Sequence, residues 1–327
     1  MQEIFLQLRE ILQQKNTFVI TTHINPDGDA LGSEIALAVF LKNLGKEVTI
    51  YNQSETPKNF EWLASTFPII QFSPQEHGKN ILEAECCIVV DTNSPKRFSA
   101  LQEYIIQSSG YKICIDHHLE QEPFADLYII DTDVPATCEL LYRIFSWWNF
   151  ESITTPIAEA LYTGIMTDTG SFRFPKTDDE THLIVADLLK RGVQPEKIYQ
   201  TLFEEGQINK LHLVGSALSS LQVAHNGKVV YITITKKMLE ETQTTESDTD
   251  NIVYNTMTIA GVKIGILFLE NVDGIKISFR SKGEIFVNKL AKEFGGNGHK
   301  NAAGARVENI TMKEIIPLVL ERTQQFL

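Results

Sequence analysis

A histidine and two aspartates fall within one short stretch, His23-Ile24-Asn25-Pro26-Asp27-Gly28-Asp29. A further aspartate closes each of two apolar runs. Asp91 follows Cys86-Cys87-Ile88-Val89-Val90, and Asp116, continued by His117 and His118, follows Lys112-Ile113-Cys114-Ile115. Asp168 stands in Met166-Thr167-Asp168-Thr169-Gly170. Carboxylates brought into one crevice of reduced dielectric repel one another unless cations neutralise them or their pKa values rise. Bound metal resolves the conflict. Oxygen ligands alone would suit magnesium or calcium, whereas imidazoles from His23 and His117 bias the set toward manganese, with cobalt and zinc as other fits. The ligand count suits two ions about 3.5 to 4 Å apart, a spacing at which one hydroxide bridges both.

Such convergence requires an element pattern that delivers all these side chains to one place. The first part of the chain alternates β-branched runs (17–22, 47–51, 86–90, 112–115 and 127–130) with amphipathic stretches, the signature of a parallel sheet covered by helices. Residues 31–44 have helical apolar spacing ending at Gly45, and 137–148 follow a start signal at Pro135. In an open parallel sheet, side chains just beyond the carboxyl ends of neighbouring strands face a common crevice. Pro26 and Gly28 are expected to hold off the next helix and keep Asp27 and Asp29 on a loop. Asp168 is expected on a loop as well.

A long helical stretch over 178–221 then links two domains, with Thr177 and Glu180 spaced as a capping box. The expected division is a catalytic domain over 1–190, a helical linker over 191–221 and a substrate-binding domain over 222–327. His225-Asn226-Gly227-Lys228 and Asp273-Gly274 read as hairpin turns, so the smaller second domain is expected to be α+β with antiparallel pairing. The polar run 240–250 is expected to include a helix entry cap. Gly295-Gly296-Asn297-Gly298-His299-Lys300-Asn301 could bring backbone N–H groups close to an anion, with His299 as an added donor. Arg280 closes a strand-like run, where its guanidinium could hold a terminal phosphate through two hydrogen bonds.

Four ordered segments, HINPDGDALGS, VVDTNSPKRF, IDHH and YTGIMTDTGSF, resemble the motifs of the DHH phosphoesterases. SFRSK and FGGNGHKNAAGARV resemble the DHH-associated nucleic-acid-binding domain of the oligoribonuclease and 3′-phosphoadenosine-5′-phosphate (pAp) phosphatase subgroup, the NrnA type. The resemblance spans the chain and implies a doubly wound α/β domain joined by a helical linker to the smaller α+β domain. It implies that His23 and Asp27 hold one divalent ion, that Asp29, His117 and Asp168 hold a second, and that Asp91 bridges them. Asp116 would orient a ligand histidine, and His118 would hydrogen-bond a phosphoryl oxygen or assist the leaving group. Arg280, Ser281, Gly295, Gly296, Gly298, His299 and Asn301 would bind substrate. Asn297 stands where many relatives have a third consecutive glycine.

The implied activity is a manganese-dependent hydrolysis of short oligoribonucleotides to mononucleotides, and of pAp to AMP, by two-metal activation of a bridging water. A cyclic or linear dinucleotide phosphodiesterase, a pyrophosphatase and a non-catalytic nucleotide sensor remain the alternatives. Composition agrees with small anionic partners. The net charge of −13 over 327 residues opposes a broad footprint on long duplex nucleic acid, and no apolar run approaches the roughly 18 residues of a membrane span. The start of the chain lacks signal-peptide spacing, so a cytoplasmic protein is expected, with room for a homodimer. Cys86, Cys87, Cys114 and Cys138 lack zinc or redox spacing and read as core thiols. Trp147 and Trp148 read as packing residues rather than a base-stacking platform.

Overall fold

The fold was read from a computed structural model, which describes residues 2–119, 121–249 and 251–327. The chain divides into two compact units, Met1–Glu205 and Gly206–Leu327. The helical span expected as a linker is shared between them: Pro195–Phe203 lies in the first unit and Ile208–Ser219 in the second.

The first unit is built on six strands: β1 (Thr17–Thr21), β2 (Glu47–Asn52), β3 (Ile69–Gln71), β4 (Cys86–Val90), β5 (Tyr111–Asp116) and β6 (Leu127–Ile130). All neighbours pair in parallel, in the order β3-β2-β1-β4-β5-β6. Every residue of β4 is buried, as a central strand covered on both faces requires. One face, through Phe18, Ile20, Ile88 and Val90, packs on the helices Gln2–Gln14, Gly28–Asn43, Thr137–Asn149 and Thr155–Asp168. The other, through Val19, Cys87 and Val89, packs on Pro74–Glu83 and Leu101–Gln107. The sheet is therefore doubly wound.

The Gly28–Asn43 helix is buried almost all round because it lies between the sheet and the Thr155–Asp168 helix. Glycines set how close the helices come: a Cβ on Gly32 would stand 2.5 Å from the Ala160 carbonyl oxygen, and one on Gly164 2.2 Å from Cys138 Sγ. All four cysteines are buried and unpaired. Trp147 meets Phe5 edge-on at 5.7 Å and Trp148 meets Phe40 at 5.5 Å, both against the core.

Several boundaries differ from the sequence expectations. The first site helix starts at Gly28, not after it, because the Asp27 side chain caps it by accepting from the N–H groups of Asp29 and Ala30, each at 3.1 Å. Asp29 thus lies on the first helical turn, and Asp168 is the last residue of its helix rather than part of a loop. The 178–221 stretch is three helices, interrupted after Lys190 and after Phe203. The cap of the first is Asp178, which accepts from Thr181 N, rather than Thr177.

The second unit carries β7 (Gln222–Ala224), β8 (Val229–Ile234), β9 (Ile264–Asn271), β10 (Gly274–Ser281), β11 (Asn297–His299) and β12 (Ala302–Glu308), ordered β11-β12-β10-β9-β8-β7. Both expected hairpins form, β7 with β8 and β9 with β10. The pairing is not wholly antiparallel: β8 and β9 run parallel. The connection between them contains the Lys236–Thr242 helix and the Ile252–Thr258 turns, long enough for the crossover that parallel pairing needs. The polar run both closes the Lys236–Thr242 helix, with Gln243 left-handed as its C-cap, and opens a short 3-10 helix, Glu246–Thr249, at whose start Thr245 N and Oγ1 donate to Asp248 Oδ2 at 2.9 and 3.1 Å; Asp250 lies outside the described residues. A capping box does occur at Thr311 and Glu314. Among the described residues no helix is long and apolar enough to cross a membrane.

Candidate metal centre

The strand order of the first unit reverses direction between β1 and β4, the place where an open α/β sheet leaves a crevice at its carboxyl end. His23 follows β1, Asp91 follows β4, and Asp116, His117 and His118 end or follow β5. Asp27 and Asp29 open the helix after β1. Asp168 arrives at the end of the helix that packs across it. All eight side chains meet there.

Asp91 is central. Its backbone is left-handed, φ 58°, a conformation that costs a non-glycine residue about 1 to 3 kcal/mol. That turn leaves Oδ2 3.4 Å from His23 Nε2, and Oδ1 3.6 Å from His117 Nε2 and 3.7 Å from His118 Nδ1. His117 Nε2 also lies 3.3 Å from Asp168 Oδ2 and 3.9 Å from Asp29 Oδ2. Three donor groups follow: His23 with Asp27 and Asp91, Asp29 with His117 and Asp168, and Asp91 with His117 and His118. In each, the ligand atoms lie within 4.8 Å of one another. Asp27 is at the exposed mouth, while Asp29, Asp91 and His23 are buried.

The electrostatics carry the same message. Burial, then the neighbouring Asp27 charge, pushes the Asp29 carboxyl up to about 6. Asp91 and Asp168 are driven well above the usual carboxylate range by loss of solvation and then by Asp29. Burial lowers the pKa of His23, which favours the neutral imidazole that binds metals. Carboxylates this crowded are stabilised by cations placed among them, so the donor set fits divalent metal.

Asp116 stands behind the histidine pair. Its Oδ1 accepts from His118 Nδ1 at 2.7 Å and from the backbone N–H of His117 at 2.8 Å, so its side chain orients the ring of His118. The His117 ring instead places Nδ1 3.3 Å from the Val134 carbonyl oxygen. Two participants escaped the sequence reading. Thr137 N and Cys138 N, at the start of the Thr137–Asn149 helix, donate to Asp29 Oδ2 and Oδ1 at 2.6 and 2.9 Å. Thr137 Oγ1 donates to Asp91 Oδ1 at 2.9 Å. Helix N-termini favour carboxylates in this way; the available signal was the helix start after Pro135.

The remaining predicted residues gather within the second unit. Arg280 is the penultimate residue of β10, with its guanidinium 4.7 Å over the Tyr254 ring and Nη1 donating to the Phe279 carbonyl. The glycine run is a β-hairpin rather than an open loop: β11 pairs antiparallel with β12, turning at Lys300 and Asn301. Gly295 takes φ 73° after the Val287–Lys292 helix, and a Cβ on Gly296 would stand 2.1 Å from the Gly304 carbonyl oxygen. Ser281 and Asn301 bond each other, Nδ2 to Oγ at 2.9 Å, and both reach the Ile285 carbonyl. They brace the 281–285 turn beside Arg280.

Fold and site define a class, the phosphoesterases built on an acidic centre at the switch point of a parallel sheet. Residues 17–165 match the DHH family, N-terminal domain, and residues 226–327 match the DHHA1 domain. The chain belongs to the DHH family of phosphoesterases. It is 30% identical over 298 residues to the bifunctional oligoribonuclease and PAP phosphatase NrnA of Bacillus subtilis, covering 89% of this chain and 90% of that one. To the enzyme of the same name from Thermus thermophilus it is 29% identical over 311 residues, covering 94% and 89%. A crystal structure of an exopolyphosphatase-related protein from Bacteroides fragilis superposes with a TM-score of 0.95 at 30% identity, covering 99% of this chain and 97% of that one.

Proposed function

We propose that the protein hydrolyses short oligoribonucleotides to mononucleotides and converts pAp to AMP, with manganese as its working metal. The observation that carries the reading is the pair of donor groups, His23, Asp27 and Asp91 beside Asp29, His117 and Asp168, joined through Asp91. Divalent cations held there would act as Lewis acids toward phosphoryl oxygens and lower the pKa of water. The other steps belong to the chain's own groups. Asp116 commits His118 Nδ1, so contact with a substrate oxygen falls to Nε2, which steadies the developing negative charge and passes a proton to the leaving oxygen. Thr137 and the helix start behind it hold Asp91 and Asp29 in place. Arg280, His299 and the backbone around Gly295, Gly296 and Gly298 bind a phosphate of the substrate other than the one that reacts, with Ser281 and Asn301 bracing their turn. A net charge of −13 suits small anions met by local cations rather than long polymers. These substrates arise from RNA turnover and nucleotide metabolism inside cells, which fits a cytoplasmic location.

The test is a substrate panel with manganese: labelled RNAs from two to about twenty nucleotides, pAp, linear and cyclic diadenylate, and pyrophosphate. The shortest RNAs and pAp should turn over fastest, and after chelation manganese should restore activity better than calcium. Turnover confined to cyclic diadenylate or pyrophosphate would overturn the substrate assignment. Equal rescue by calcium would overturn the metal assignment.

A further inference from the structure

The sheet of the second unit is unequally covered. One face packs through Ile266, Phe268, Ile275, Ile277, Ala303 and Ala305 into a core with the Val287–Lys292 and Met312–Thr323 helices. On the other face, the Ile208–Ser219 helix and the Ile252–Thr258 turns pack against Ile232 and Ile234 of β8 and Leu267 and Leu269 of β9. Beyond β9 that face carries Lys276 and Ser278 of β10 beside Arg306 and Gly304 of β12, since Lys276 pairs with Arg306 and Ser278 with Gly304. Gly304 and Gly296 contribute no side chain, and an open depression of about 250 Å³ there is lined by Lys276, Gly296, Gly304, Ala305 and Arg306.

A carboxylate already lies against these two cations. Glu246 Oε1 accepts from Lys276 Nζ at 3.0 Å and from Arg306 Nη2, while Oε2 accepts from Asn271 Nδ2 at 3.1 Å. Donors converging in this way on two oxygens of one anion match the unesterified oxygens of a phosphodiester. Lys276 lies four residues along β10 from Arg280, or about 14 Å, and the two head groups are held apart, Lys276 on Glu246 and Arg280 over the Tyr254 ring. The ion pairs are partly solvated, with Lys276, Glu246 and Arg306 30, 33 and 60% exposed. Such pairs are weak and exchangeable.

We propose that Lys276 and Arg306 form a second phosphate subsite, for an internal phosphodiester of oligonucleotides longer than a dinucleotide, and that Glu246 masks it by occupying the anion's position. The inference rests on the oligonucleotide reading above. Masking weakens the grip on longer chains and leaves the shortest substrates unaffected.

The experiment compares kcat/KM for a dinucleotide, a pentanucleotide and pAp, at several salt concentrations, in the wild type, Glu246→Gln, and Glu246→Gln combined with Lys276→Ala and Arg306→Ala. Unmasking should raise the pentanucleotide value about two- to fivefold, the range of an exposed ion pair. It should also steepen that substrate's salt dependence by about 0.7 in log–log slope, the value for one further phosphate on a single strand. The dinucleotide and pAp should not change, and the triple variant should fall back to wild-type behaviour or below. An unchanged pentanucleotide, or an equal change on all three substrates with a lower melting temperature, would mean that Glu246 only braces the sheet. Should the wild type turn over none of the three, the functional reading falls. Fluorescence anisotropy of a labelled pentanucleotide then decides the subsite, which requires Glu246→Gln to bind more tightly than wild type.

Discussion

Asp91 contributes both carboxylate oxygens to the centre from a left-handed backbone, with Oδ2 toward His23 and Oδ1 toward His117. Asp91→Asn keeps the shape and the tolerance for that backbone but removes the shared charge. It should abolish turnover and cut manganese affinity at least a hundredfold by titration calorimetry. Because burial and the surrounding aspartates drive its carboxyl above the usual range, the metal-free variant should melt no lower than the metal-free wild type. A markedly lower melting temperature would make Asp91 a structural residue. Thr137 offers a finer test. Its hydroxyl holds Asp91 Oδ1 at 2.9 Å, and loss of such a partner typically weakens a metal site 10- to 100-fold. Thr137→Val should show a loss in about that range and Thr137→Ser little, with the helix start retained in both. Equal affinities in Val and wild type would remove Thr137 from the site.

The helix pair Gly28–Asn43 and Thr155–Asp168 brings Asp29 and Asp168 together through close contact at Gly164. In an exposed helix, alanine would be the better residue by about 1 kcal/mol. Here its Cβ would stand 2.2 Å from Cys138 Sγ and 2.7 Å from Asp29 Oδ1, so Gly164→Ala should lower both melting temperature and metal affinity. Cys138→Ala in the same chain should recover part of the stability but not the affinity; full recovery of both would exonerate the Asp29 contact. Where the Gly28–Asn43 helix meets β2, Glu34 is buried with Asn52 Nδ2 at 2.8 Å, and burial pushes its carboxyl from 4.5 up to about 8. A raised carboxyl favours folding below the unfolded value, and that advantage is lost as pH rises toward 8, with a slope of at most about 1.4 kcal/mol per pH unit. Glu34→Gln, whose amide can donate to the unpartnered Asn52 Oδ1, should flatten the fall in stability between pH 5 and 8 seen in urea melts. An unaltered slope would place the titration elsewhere.

What the sequence made legible at this scale followed its periodicities. The strands β1, β2, β4, β5 and β6 are short runs rich in β-branched and apolar residues, and the candidate ligands after β1, β4 and β5 stand out as polar residues interrupting apolar ones. The edge strand β3 has three residues and no such run. Asp29 and Asp168, both expected on loops, lie on helices: the cap at Asp27 outweighs the breaking tendency of Pro26 and Gly28, and the Thr155–Asp168 helix runs on to Asp168 before Gly170 turns the chain. Thr137 was invisible because its role depends on a partner 46 residues away in the chain. The glycine run drew attention as an anion loop, yet Gly296 is explained by the contact of β11 with β12.

Each unit buries its own core, with Phe40 and Phe145 stacked at 4.2 Å in the first and Phe268 and Phe279 fully buried in the second. Every proposed metal ligand lies in the first. Calorimetric scans with saturating manganese should therefore raise the unfolding temperature of the first unit, while probes confined to the second, such as a label beside Asn309, follow their metal-free course. Ligand stabilisation of this kind grows as the logarithm of metal concentration over Kd. A shift of equal size in both would show that they unfold as one cooperative body. The proposed ligands stretch from His23 to Asp168 and rest on three strands, β1, β4 and β5, and two helices. Closing loops this long costs chain entropy before any contact repays it, so the centre is expected to assemble late in folding. Ions held there would then do little to guide the chain toward its native state. They would act on the way out: by stabilising contacts absent from the folding transition state, they should slow unfolding and leave the refolding rate near that of the metal-free chain, which stopped-flow unfolding and refolding with and without manganese would check.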